Sequence, residues 1–155
     1  MDTENLKNLV KDIVETATML KDKHIEYKNA PVNYACIFAQ SEKEYKELLD
    51  ASNKLGKVLE KMSSGVLFQI SPLETVSGPL QILKIRIPDA TRPERGDADF
   101  TIPNYLALKK KYLGKPGWGL IRKREDFEML ELIDPEFNVR VYFSNPPLDV
   151  QLNIK

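Results

Sequence analysis

Apolar residues Leu6, Leu9, Val10, Ile13, Val14, Ala17 and Leu20 recur at helical spacing with charge between them, which predicts an amphipathic helix over residues 3–23. "KNAP" breaks the chain, and the apolar run "VNYACIFAQ" then reads as a largely buried strand. Ser41 and Glu44 form an S-x-x-E capping box that starts a second helix. Its inward stripe is Tyr45, Leu48, Leu49, Leu55, Val58, Leu59 and Met62, so the expected helix continues to residue 62. "VLFQIS" is a strand. "PLETVSGP" is a turn with at most a short edge strand at 73–77.

"LQILKIRIP" alternates with period two, Leu83, Ile85 and Ile87 on one face and Lys84 and Arg86 on the other. The polar stretch "DATRPERGD" reads as a linker. After it come a strand in "ADFTI", a helix over 104–113 with Pro103 as a candidate first residue, and a strand in "WGLIRK". "DFEMLELI" and "NVRVYFS" form a hairpin turned at Asp134-Pro135. The expected fold is a single α+β domain, 1–155. An N-terminal helical segment (1–28) precedes two pseudo-repeated β-α-β-β-β modules, 32–88 and 97–145, that form one curled mixed sheet.

Composition narrows the function classes. Lys+Arg and Asp+Glu balance at 23 each, with a pI near 6.6, so the basic excess of a nucleic-acid or anionic-membrane binder is missing. No apolar run approaches the roughly 20 residues of a membrane helix, and the acidic-first start does not read as a secretory signal. One cysteine, Cys36, cannot form an internal disulfide and reads as packing, which suits a reducing cytoplasm. One histidine, His24, cannot supply the usual zinc or two-histidine iron sites, and it falls beside the last carbonyls of the first helix. Neither a Walker loop nor G-x-G-x-x-G occurs.

Candidate chemistry sits on the polar strand faces. Lys84 and Arg86, then Asp99 and Thr101, then Arg140, Tyr142 and Ser144 each oppose an apolar face. Such faces either meet water or, if both modules wrap one hollow, bring Arg86, Asp99, Arg140, Tyr142 and Gln69 together. Two arginines there favour a carboxylate or phosphate; the ligand-free alternative pairs Arg86 with Asp99 and Arg140 with Glu131. Glu128 and Glu131 lie three apart in a strand and point to opposite faces, so they cannot act as a pair. "KKK" at 109–111 and "RKR" at 122–124 read as solvated surface. Trp118 either stacks on a ligand or pins a loop.

Paired β-α-β-β-β modules, with "LELIDPEFNVRVYF" as a closing Asp-Pro hairpin, resemble the vicinal-oxygen-chelate superfamily of glyoxalases, extradiol dioxygenases and antibiotic-resistance binders. The resemblance covers residues 32–145. It implies a trough with helices outside and, in enzyme members, a divalent metal held by His or Glu from the first and last strands of each module. The matching positions are Asn33, Asp99, Arg86 or Lys84, and Tyr142 or Val141. This is a poor ligand set, so no metal or other cofactor is assigned. The expectation is a protein that binds a small anionic metabolite through Asn33, Arg86, Asp99, Arg140 and Tyr142, with a homodimer open. One alternative is a divalent-metal lyase, isomerase or dioxygenase using Asp99 and Glu131. Another is a ligand-free interaction module docking through Leu6, Val10 and Ile13.

Overall fold

In the computed structural model, which describes residues 1–154, α1 (Thr3–His24) starts where the Asp2 carboxylate accepts the Asn5 amide at 2.7 Å. Strand β1 (Val32–Phe38) leads to α2 (Glu42–Leu55), capped by Ser41, whose hydroxyl accepts from the Glu44 amide at 3.1 Å. Three strands follow: β2 (Gly56–Met62), β3 (Gly65–Thr75) and β4 (Gly78–Arg86). The second half comprises β5 (Gly96–Phe100), α3 (Tyr105–Tyr112), β6 (Trp118–Arg124), β7 (Phe127–Ile133) and β8 (Val139–Asn145). A short α4 (Leu148–Gln151) comes last.

All eight strands join one open mixed sheet in the order β2-β3-β4-β1-β5-β8-β7-β6. In each half the first strand lies parallel to the last, β1 with β4 and β5 with β8. The halves meet where β1 and β5 pair antiparallel. The pleat assigns the two faces. Ala35, Ile37, Leu83, Ile85, Ala98, Phe100, Val139, Val141 and Phe143 belong to the main core. Helix α1 covers that core with Leu6, Val10, Ile13, Val14, Ala17 and Leu20, all buried. Each of the leucine, isoleucine and valine side chains contributes about 1.5–3 kcal/mol on burial. The opposite face carries a smaller cluster, Tyr34, Cys36, Phe38, Leu67 and Ile82.

Several expectations need correction. The first-helix stripe is not a docking surface: Leu6, Val10 and Ile13 are consumed by the chain's own core. The second helix stops at Leu55, and Val58, Leu59 and Met62 lie in β2 instead. Their spacing fits a helix, but Gly56 sits flush against β3, where a Cβ would meet the Gln69 carbonyl oxygen at 1.9 Å. The expected turn at 72–79 is mostly strand. β3 runs through Pro72 because its register with β4 shifts between Gln69 and Leu73, where no ladder donor is needed. Ile87 leaves β4 and is exposed. The α3 cap is Asn104, whose side chain accepts from Ala107, so Pro103 precedes the helix. β5 begins at Gly96 and ends at Phe100, so Asp97 belongs to a strand and Thr101 and Ile102 do not. Among the described residues no helix is long and apolar enough to cross a membrane.

Candidate functional site

Strand register builds the site. One row across the sheet reads Lys84, Cys36, Asp97, Arg140 on β4, β1, β5 and β8. The next reads Tyr34, Asp99, Tyr142, Glu131 on β1, β5, β8 and β7. Both rows lie on the face away from α1, and a cavity of about 440 Å³ opens over them. The loop between β4 and β5 folds back over this face: Arg92 donates to the Tyr142 hydroxyl at 3.0 Å, and its guanidinium lies over the Phe38 ring. At the other end Leu148, Gln151 and Leu152, in and beside α4, close the wall.

Of the expected contacts, Arg86, Asp99 and Tyr142 line the cavity, whereas Asn33 and Arg140 do not. Asn33 stands behind Asp99, donating to it at 3.2 Å and to the Thr101 hydroxyl at 2.9 Å. Arg140 has an acceptor at each of its three nitrogens. It donates to Glu94 at 2.8 Å, to Glu131 at 3.3 Å and to the Thr91 carbonyl at 3.0 Å. The expected Arg140–Glu131 bridge therefore exists. Arg86 is different. Its cross-strand neighbours are Phe38 and Gly65, neither of which carries a side-chain acceptor, and among the described residues its buried Nε has no hydrogen-bond partner.

The other candidates sort by face. Glu131 shares the Tyr142 face and accepts a hydrogen bond from its hydroxyl. Glu128 points to the helix side, accepting from Tyr105 at 2.7 Å and pairing with Lys109 at 2.8 Å. Trp118 stacks between Tyr112 and Phe143, remote from the cavity, and so pins α3. Gln69 is not among the lining residues. His24 reaches Asp134 at 2.9 Å rather than the helix carbonyls. Cys36 is buried, and burial with the charge of Asp97 pushes its thiol up, the opposite of an activated nucleophile.

Sequence reasoning missed Arg92, Asp97, Lys123 and Arg124, all of which line the cavity. The 122–124 run is exposed, as solvated surface requires, yet Lys123 and Arg124 also line the cavity; period two along β6 places Lys123 on the same face as Ile121, the one signal for this second role. The lining thus carries five cations, Lys84, Arg86, Arg92, Lys123 and Arg124, against three carboxylates, Glu60, Asp97 and Asp99. Burial dominates the electrostatics. It raises Asp97 from 3.8 to about 7, aided by the charge of Asp99 and opposed by Arg92, Lys84 and Arg86. It raises Asp99 to about 6, although hydrogen bonds from Ser144 and Asn33 pull the other way. Burial also lowers Lys84 and Lys123. Asp97 Oδ1 is buried and unpartnered among the described residues.

These residues do not suit a divalent ion. Asp99 is engaged by Ser144 and Asn33, cations crowd the same space, and among the described residues no three His, Cys, Asp or Glu gather to hold a metal.

No protein-family model matches the chain, and no curated protein does. Among solved structures, Protein EC4020, a structural-genomics target, superposes with a TM-score of 0.72 at 11% identity, over 97% of this chain and 91% of its own. That likeness shows a shared fold and nothing of the chemistry. A Bacillus subtilis protein described as a "putative dioxygenase" covers 72% of this chain and 37% of its own at 13% identity. Its TM-score of 0.25 is too low to carry an argument.

Proposed function

We propose that this protein binds a small organic anion in the cavity on the face of its sheet away from α1. The observation that carries the reading is the pairing of a cationic lining with an unsatisfied donor, the buried Arg86 Nε. Arg86 would grip the anion, with Arg92, Lys84 and Lys123 adding field and Tyr142 a hydroxyl beside it. Asn33 and Arg140 serve as positioning residues, fixing Asp99 and the Glu131–Tyr142 pair respectively. The strand order, which reads outward from β1 and β5 in the same sense in both halves, supports a doubled β-α-β-β-β module. It also supports a trough of the vicinal-oxygen-chelate kind, used for binding without a metal. A lone buried thiol suits a reducing compartment.

Thermal denaturation against a panel of organic acids and inorganic phosphate tests this, because a ligand of the native state stabilises it by mass action, about 2.7 kcal/mol at a hundred times its Kd. A dose-dependent rise in Tm that is lost in Arg86→Ala is expected. A panel without effect, or an Arg86→Ala response equal to that of the native chain, would overturn the reading.

A further inference from the structure

The cavity offers a second unsatisfied group besides the arginine. Asp97 is 5% exposed, lines the cavity, and leaves Oδ1 without a hydrogen-bond donor. Its cross-strand neighbours explain the vacancy. On one side is Cys36, whose thiol is directed at the Ile37 carbonyl; on the other is Arg140, whose donors go to Glu94, Glu131 and Thr91. Asp99, two residues on along the same face, is by contrast filled by Ser144 and Asn33. One carboxylate on β5 is structural, and the other lines the cavity with one buried oxygen unpaired among the described residues.

An unmet buried acceptor is costly, and an unmet donor on Arg86 lies in the same cavity. A plain carboxylate satisfies only the arginine and sets a second negative group near Asp97. A ligand that bears a hydroxyl or ammonium beside its acid group satisfies both. We propose that Asp97 is a specificity-determining contact that selects hydroxy- or amino-substituted acids over their unsubstituted analogues. This deepens the anion reading and depends on it.

The test uses the full chain and matched probes: succinate, both enantiomers of malate and of aspartate, and inorganic phosphate, titrated by NMR chemical-shift perturbation. At least one substituted acid should bind about tenfold tighter than succinate, the value of one hydrogen bond to a charged group. Asp97→Leu should erase that preference, read as the ratio of substituted-acid to succinate affinity within the folded variant. Equal affinity for succinate and every substituted acid in the native chain overturns the proposal without reference to any variant, and leaves anion binding standing. Discrimination that survives in a folded Asp97→Leu also overturns it. Absence of binding by all probes, phosphate included, removes the anion reading itself, and this inference with it.

Discussion

Arg86 and Arg140 lie on the same face of one sheet, yet they have opposite fates. Arg140 stands beside β7, which supplies Glu131, and beneath the β4–β5 loop, which supplies Glu94 and the Thr91 carbonyl. Arg86 stands between Phe38 and Gly65, which supply no side-chain acceptor. A guanidinium with an acceptor at each nitrogen holds the fold. One with a buried donor left over keeps a hydrogen bond unmade. The acceptors that the β4–β5 loop and Glu131 bring to one arginine and not the other, rather than residue type, make that division.

The sharpest way to break the comparison is to remove each arginine in turn. Arg140→Met strands Glu94 and Glu131, whose side chains are 13% and 17% exposed, and should cost about 3 kcal/mol in urea denaturation. Arg86→Met should cost less than about 1 kcal/mol while abolishing the ligand-dependent rise in Tm. Equal costs would erase the distinction.

A smaller effect separates the two β5 carboxyls by pH. Asp97 ionises at 3.8 unfolded and about 7 folded, so its contribution is fully present below about pH 3.8 and is lost as pH rises through about 7. Asp97→Asn should therefore raise Tm at pH 8 and flatten the decline between about pH 4 and 7; Asp99, raised to about 6, leaves a residual slope. Asp134 runs the other way. Hydrogen bonds from Lys23, Glu136 and His24 lower it, so its contribution is present above 3.8 and is lost only in acid. A Tm at pH 8 unchanged by Asp97→Asn would contradict the burial that drives the shift.

The least change is expected from Asn33→Ala. It should cost about 1 kcal/mol by denaturation, because Ser144 still holds Asp99. Succinate affinity should fall less than in Arg86→Ala, since Asn33 acts only through Asp99, which Ser144 also holds.

Much of this was legible in the chain. Alternation along 81–87 and 139–144 placed Arg86 and Tyr142 on the polar face, and the capping box at Ser41 placed α2. What escaped had physical reasons. Leu55, Val58, Leu59 and Met62 satisfy a helical period, and only the packing of Gly56 against β3 decides for a strand. Arg92 sits in a loop, where no period constrains direction, and its place over Phe38 exists only after folding. The pairing of Arg140 depends on Glu94, 46 residues away, which local pattern cannot reveal. Asp97 was lost because a polar residue at a strand's start resembles a linker.

The sheet does not close on itself, and its outermost strands, β2 and β6, each leave one backbone side unpaired. Such margins invite another molecule to add a strand and seed fibrils. Here both carry electrostatic deterrents: Lys57, Glu60 and Lys61 are exposed on one margin, and Arg122, Lys123 and Arg124 on the other. A near-neutral protein with two bare margins thus carries its safeguard against self-templating as local charge rather than net charge.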